Sequence, residues 1–266
     1  MKQFLISFLF LLVYSHSFGL KPKKEFLMLP DSMRLSYMSD TIVTKDGFKL
    51  CSWTIEPATK NENNNITILF CYQDMGNMSY VLYNALPFSL AGFQVVMFDY
   101  RGFGGSQDFK IDESNLFYKE YVIDFNAALD YVKTKYKNNR IGVWSASMGT
   151  IIATLSDHTY DFLIADSYIT NPYFVAEVLL KSKQKEIHIP VTSKEYETKL
   201  SNNNIHKLIF IGNEDPVIDS PLLDKIKNKE VIIYNGGHLQ GMQIMTEKVY
   251  GDLYVAKVEA FLKNNK

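Results

Sequence analysis

The feature that most constrains this chain is the stretch Ile141 to Leu155, I-G-V-W-S-A-S-M-G-T-I-I-A-T-L. Its opening I-G-V-W reads as a short buried strand, and Met148–Leu155 reads as a helix. Only a tight turn joins them. Small residues two positions either side of Ser147, namely Ser145 and Gly149, let the backbone bend sharply there. Such a turn lifts the serine hydroxyl clear of the sheet and points the N-terminus of the following helix at it. The plainer reading is a buried or capping serine, but the strand before and the helix after favour an exposed nucleophile.

The same alternation runs along the chain. Thr41–Val43 and Phe48–Ile55 flank Asp46-Gly47, a hairpin signal. The polar turn Asn61–Asn65 precedes Ile66–Cys71, I-T-I-L-F-C, a buried strand. Ser79–Leu90 reads as a helix whose end Pro87 distorts. Gln94–Phe98 is a further buried strand, and Arg101–Gln107 is a glycine-rich loop. That loop breaks the dinucleotide pattern at Gln107 and carries no phosphate-binding lysine, so it reads as a turn after a strand. Residues 118–136 form a helix with Tyr121, Phe125, Ala128, Leu129 and Val132 on one face. Phe162–Ala165, Leu208–Ile211 and Val231–Tyr234 are strands, and a final helix covers roughly 243–263.

Strands separated by helices predict an α/β protein: a mostly parallel twisted sheet of about eight strands with helices on both faces. The 266 residues suit one such domain, with a short insert at 168–206. Lys plus Arg is 28 and Asp plus Glu is 29, a net charge of -1, which gives no electrostatic reason to expect nucleic acid as a partner. Two cysteines make neither a disulfide scaffold nor a four-cysteine zinc site.

The N-terminus reads as a signal peptide. Lys2 precedes the apolar run Phe4 to Val13, and the small residues of S-H-S-F-G follow, with cleavage after Ser17 or Gly19. Residues 1–19 are thus set apart from a domain over 20–266, exported to the periplasm or secreted. The alternative is an uncleaved N-terminal anchor, but the run is about half the ~20 residues a membrane span needs. No later stretch is long and apolar enough to span.

A serine nucleophile needs a base oriented by an acid. His158 ends the helix after Ser147, and His188 and His206 lie in the insert or at its edge. His238 follows V-I-I-Y through N-G-G, in a turn just past a strand end. Asp215 occupies the turn G-N-E-D-P-V-I after Leu208–Ile211. The adjacent Glu214 suits that turn less well, and Asp166 after F-L-I-A is a second candidate acid. The order Ser147, Asp215, His238 is that of the strand-turn-helix serine hydrolases.

With T-K-D-G-F-K-L, D-M-G-N-M-S, F-D-Y-R-G-F-G-G-S, S-A-S-M-G, G-N-E-D-P-V-I and G-G-H-L in this order, the chain resembles the α/β-hydrolase superfamily over nearly all of residues 25–266. It is most similar to small-lid serine esterases and serine aminopeptidase-like members. The resemblance implies an oxyanion hole from the backbone N–H groups of Met148 and Asp74. The loop carrying Asp74 departs from the family, with Tyr72-Gln73 where His-Gly is usual. A carboxylate ~5 Å from a developing oxyanion opposes it by ~3 kcal/mol at an effective dielectric near 20. Either the Asp74 side chain points away or is paired, or activity is impaired.

Tyr72, Gln73, Tyr173 and Phe174 are candidate pocket residues. Tyr173, Phe174, Val178 and Leu179 form either an apolar lid helix or an ordinary packed one. By resemblance, the strands of Cys51 and Cys71 are separated by Gln94–Phe98, which puts the cysteines ~9–10 Å apart. A disulfide needs Cα atoms within ~7 Å, so two free buried thiols are expected.

The leading expectation is an exported serine hydrolase cleaving a carboxylic ester or related acyl bond of a small molecule, with neither metal nor organic cofactor. The alternatives are an exported serine peptidase, whose substrate is a peptide, and a non-catalytic binding protein on the same scaffold.

Overall fold

A computed structural model describes residues 19–58 and 64–265. The apolar leader run and residues 61–63 of the asparagine turn lie outside them. In chain order the strands are β1 (Lys21–Pro22), β2 (Tyr37–Val43), β3 (Lys49–Ile55), β4 (Ile66–Cys71), β5 (Met75–Gly76), β6 (Gln94–Phe98), β7 (Arg140–Ala146), β8 (Phe162–Asp166), β9 (His206–Gly212) and β10 (Lys229–Tyr234). The helices are α1 (Leu82–Leu90), α2 (Glu120–Lys135), α3 (Met148–Leu155), α4 (Pro172–Lys183), α5 (Ser193–Asn202), α6 (Ser220–Leu223), α7 (Gly241–Ile244) and α8 (Asp252–Asn264).

Eight strands form one sheet in the order β10-β9-β8-β7-β4-β6-β3-β2. The pairs from β10 through β6 are parallel, while β3 runs antiparallel to β6 and β2 antiparallel to β3. The order reverses at β4. The chain leaves β4 for β6 on one side, then crosses back to β7 on the other. Right-handed crossovers therefore put α1 and α2 on opposite faces of the sheet. Ligands of such sheets bind beyond the carboxyl ends of the strands at the point of reversal.

Composition explains the burial. All five residues of β6 and of β8 are buried, as for strands covered on both faces. In α2 the buried positions are Tyr121, Asp124, Phe125, Ala128, Leu129 and Val132, the predicted apolar face plus one aspartate. Asp124 is tolerated there because Arg101 pairs with it, Nη2 to Oδ1 at 2.7 Å, and also reaches Asp46 at 2.7 Å.

Two predicted helices differ in detail. Pro87 sits inside α1 rather than at its end, and the helix closes one turn later with the Ala91 N–H on the Pro87 carbonyl. The C-terminal helix is two pieces, α7 and α8. Gly251, at φ +73°, turns the chain before α8. There the Asp252 carboxylate accepts from the Glu247, Lys248 and Val249 N–H groups. A side chain that captures three backbone donors outcompetes helix continuation.

The insert holds α4 and α5. Val175 and Leu179 of α4 and Tyr196 of α5 are buried, and the Tyr196 hydroxyl donates to the Ile169 carbonyl at 2.5 Å. Both cysteines are free; Cys71 is buried and Cys51 half-buried. Their strands are separated by β6 in the sheet.

Candidate active site

Ser147 stands between β7 and α3 at φ +49°, ψ −115°, a left-handed conformation costly to a residue with a Cβ. The neighbours enforce it. The Ser147 N–H donates to the Asp166 carbonyl at 3.1 Å, and its carbonyl accepts from the Thr150 N–H at 2.9 Å. A Cβ on Gly149 would overlap the Cys71 carbonyl oxygen, so the turn presses directly against the end of β4.

His238 arrives from the turn after the edge strand β10, on the same side of the reversal as β7. Beyond Tyr234 the chain runs through Asn235, Gly236 and Gly237, held by Gly236 N–H to Asn213 Oδ1 at 3.0 Å and Gly237 N–H to Gln240 Oε1 at 2.8 Å. The Tyr234 hydroxyl donates to the Gly237 carbonyl at 3.1 Å. Gly212, at the end of β9, has no room for a Cβ against the Gly236 carbonyl, which draws the β9 and β10 turns together. Asp215 lies in the first of these turns.

The three side chains meet. His238 Nε2 is 2.9 Å from Ser147 Oγ, and His238 Nδ1 is 2.8 Å from Asp215 Oδ2. The Asp215 side chain is fully buried and that of His238 is 17% exposed, so of these two the imidazole faces the outside. Burial pushes the Asp215 carboxyl up. The neighbouring His238, the Ser167 hydroxyl and the Val217 N–H outweigh that and hold it below the usual carboxylate value.

Ser167 is a site residue that no motif marked. Besides its part in holding Asp215, its hydroxyl accepts from the Leu239 N–H at 3.0 Å, fixing the residue beside the base. It stands at φ +54° directly after β8, and its own N–H donates to the Phe210 carbonyl of β9. The only available signal was a small polar residue following a strand end. Asp166, one position earlier, is fully buried, and burial raises its carboxyl to about 7. Its side chain lies 3.4 Å from the Tyr234 hydroxyl, while its carbonyl serves the Ser147 turn. Glu214 is exposed. His158 pairs with Asp130 at 3.0 Å, His206 opens β9 on the exposed side, and the His188 backbone bonds Ser114 and Leu116.

Met148 is the first residue of α3, and Asp74 lies in the loop between β4 and β5. The Asp74 side chain is turned to the chain's N-terminal segment, where Oδ2 accepts from the Gly19 N–H at 2.8 Å. Burial raises its carboxyl to about 6 against the pull of that N–H and of nearby His238.

The candidate pocket residues separate. Tyr72 faces the core: it is fully buried, packs on Tyr100 and Phe103, and donates to Asp99 Oδ1 at 3.1 Å. The buried Asp99 needs that donor, which draws the ring inward. Gln73 is buried, Phe174 half-buried, and Tyr173 largely exposed with its hydroxyl donating to the Val191 carbonyl at 2.7 Å. Among the described residues no group of three or more His, Cys, Asp or Glu is arranged to hold a metal ion. None of the described helices is long and apolar enough to cross a membrane.

The eight-stranded, mostly parallel sheet with its flanking helices is the α/β-hydrolase fold. Within it, residues 79–176 match the family described as Hydrolase_4, serine aminopeptidase, S33. The fold is similar to that of the Pyrococcus furiosus esterase Pf2001, with a TM-score of 0.70, 19% identity and coverage of 92% of this chain and 99% of that one. It is also similar to an esterase from Exiguobacterium antarcticum, with a TM-score of 0.58, 15% identity, and 85% and 100% coverage. A curated relative, described as an uncharacterized membrane protein of Saccharomyces cerevisiae, is 35% identical over 79 residues. That match spans 29% of this chain and only 26% of the relative's length.

Proposed function

We propose that this chain is a serine hydrolase that cleaves a carboxylic ester or related acyl bond. The observation that carries the reading is the unbroken relay from Ser147 Oγ through His238 to Asp215, at 2.9 and 2.8 Å. His238 Nε2 takes the Ser147 proton as Oγ attacks the substrate carbonyl. Buried Asp215 holds Nδ1–H, selects the tautomer and stabilises the imidazolium that forms. The same proton then goes to the leaving alcohol or amine. Water deacylates the enzyme by the reverse path, with His238 again the base. The N–H groups of Met148 and Asp74 receive the oxyanion.

Peptide hydrolysis is the second reading, favoured by the match of residues 79–176 to serine aminopeptidases. The covalent chemistry is the same, and an amide differs only in needing a protonated leaving amine. The leader-like N-terminus supports an exported protein.

The test is incubation of the protein with a fluorophosphonate, read by intact mass, with Ser147→Ala as control. One adduct, lost in the variant, is the expected result, followed by turnover of short acyl esters. No adduct on folded protein removes the hydrolase reading in favour of a binding protein.

A further inference from the structure

The turn that presents His238 is closed by one hydroxyl. The Tyr234 hydroxyl accepts from the Gln240 N–H at 3.2 Å and donates to the Gly237 carbonyl at 3.1 Å. The Gly237 N–H in turn donates to Gln240 Oε1 at 2.8 Å. Residues on both sides of His238 are thus tied to the end of β10 through Tyr234. The Gly237 carbonyl belongs to the peptide unit that joins Gly237 to His238. A displacement of that unit moves the imidazole, and with it the 2.9 Å contact of Nε2 with Ser147 Oγ.

A further group reaches the same hydroxyl. Asp166 Oδ1 lies 3.4 Å from it, and among the described residues this is the one hydrogen-bond partner of the Asp166 side chain. The carboxyl is buried, and a Cβ on Gly241 would lie 2.9 Å from Oδ2. A tyrosine hydroxyl has one proton to give. Two of its neighbours, the Gly237 carbonyl and an ionised Asp166, could only accept it. Ser167, also beside it, can donate and makes no such demand. With the proton on Gly237, an ionised Asp166 would be a buried charge without a donor, a far costlier state than a neutral acid. A neutral Asp166 resolves the conflict, because its own O–H donates to the Tyr234 oxygen. Burial raises the Asp166 carboxyl to about 7, against the pull of His238 and with the push of Asp215.

We infer that neutral Asp166 and Tyr234 are a positioning pair for the base: the Asp166 O–H donates to the Tyr234 oxygen, and the Tyr234 proton holds the Gly237 carbonyl and with it His238. The inference rests on the serine hydrolase reading above and gives a role to a carboxyl outside the Ser147–His238–Asp215 relay. Neither residue touches the reacting atoms. Ionisation of Asp166, its proton passing to solvent, draws the Tyr234 proton to the carboxylate. The Gly237 carbonyl then faces a lone pair instead of a donor, and the turn shifts.

The titratable groups that face Asp166 are Asp215 and His238 from the turns after β9 and β10, Tyr234 at the end of β10 and Tyr254 of α8. Burial pushes both tyrosines well up, and Asp215 is held below its ordinary value, so these three keep their charge between about pH 6 and about pH 9. Loss of a proton from His238 frees the base and raises the rate. A fall at alkaline pH therefore has Asp166 as its source among these groups.

The test follows the second-order rate of fluorophosphonate attachment to Ser147 over that range on the full chain, with the melting temperature as a check on folding. In the wild type the rate falls ~3- to 10-fold above about pH 7.5, the worth of about one hydrogen bond. Asp166→Asn, whose amide donates at every pH, stays within about threefold of the wild-type rate at about pH 6 and loses the fall. Tyr234→Phe starts ~3- to 10-fold lower and also shows no fall, because no hydroxyl is left to turn. A merely structural pair would lower the rate without altering the profile, so a fall that persists in either variant overturns the inference. A flat wild-type profile overturns it too. So does a rise above about pH 7.5 that Asp166→Asn removes, which would make the carboxylate a second counter-charge to His238. A wild type that takes no label removes the hydrolase reading and this inference with it, whereas each of the other failures removes the inference alone.

Discussion

Gly149 and Cys71 touch so closely that a Cβ on the glycine would overlap the Cys71 carbonyl oxygen. This contact joins the turn that carries Ser147 to the end of the central strand β4, and leaves no space for adjustment. Both partners are backbone, so neither can swing aside. Gly149→Ala therefore lowers the unfolding free energy by at least ~2 kcal/mol and removes fluorophosphonate labelling of the fraction that stays folded. Urea unfolding and intact mass check the two parts; a stable, labelled variant would contradict the geometry.

Asp215→Asn leaves the volume of the acid unchanged but removes the charge that stabilises the imidazolium and the acceptor that selects its tautomer. The expected loss in kcat is on the order of 10³–10⁴-fold, with KM little altered. Asp166→Asn, by contrast, lowers kcat by less than about tenfold, since His238 Nδ1 is held by Asp215 while Asp166 Oδ1 meets the Tyr234 hydroxyl. Steady-state kinetics on one ester distinguishes the two carboxylates.

Ser167 serves acid and base together, so its effect is catalytic beyond its size. Ser167→Ala leaves the Leu239 N–H without its acceptor and takes a hydroxyl away from beside Asp215. A lost hydrogen bond of this kind is worth ~0.5–1.5 kcal/mol, so kcat/KM falls roughly 2- to 10-fold. The downfield proton resonance of His238 Nδ1–H should broaden or shift in the variant. An unchanged resonance with unchanged kinetics would make Ser167 a bystander.

Buried carboxyls give the protein a distinctive pH dependence of stability. Burial raises Asp74, Asp99 and Asp124 to about 6 and Asp166 to about 7. A carboxyl raised on folding binds its proton more tightly in the native state. Its contribution is complete below its ordinary value near 3.8 and is lost as pH rises through 6 to 7. Asp46, held down to about 2 by Arg101, acts oppositely, its contribution being lost only as pH falls through 2. The urea midpoint therefore decreases from pH 4.5 to pH 7.5, and Asp166→Asn makes that decrease shallower. A midpoint that rises across this range in the wild type would reverse the sign.

Burial raises the Cys51 thiol to about 11 and the Cys71 thiol to about 12. Both are free and mostly protonated at pH 8. Iodoacetamide should leave the native protein unmodified and add two groups after denaturation without reductant. No addition to the denatured chain would reveal a disulfide that the separation of β3 and β4 by β6 forbids.

The sheet and the reacting trio were legible because their signals are local. A buried strand announces itself in five or six apolar residues, and Ser147, Asp215 and His238 each follow such a run within a few positions. Helix α3 was readable to the residue, since Met148–Leu155 is bounded by a turn of small residues. The split between α7 and α8 was not, because apolar periodicity continues through it while the Asp252 side chain captures the backbone.

What the tertiary structure alone decided is where side chains without a local pattern point. Tyr72 stands beside the proposed oxyanion loop in sequence, yet Asp99, 27 residues away, draws its hydroxyl into the core. The Ser167 hydroxyl meets the Leu239 N–H, 72 residues on, and the Asp74 carboxylate meets the Gly19 N–H, 55 residues before. Each is one hydrogen bond, too short in range to leave any periodicity and made only when distant turns are brought to one end of a folded sheet. Sequence by itself determined the chain's order of strands, turn and helix and the chemistry at their ends. Which carboxylate meets the base, and which is bonded elsewhere, was decided by packing.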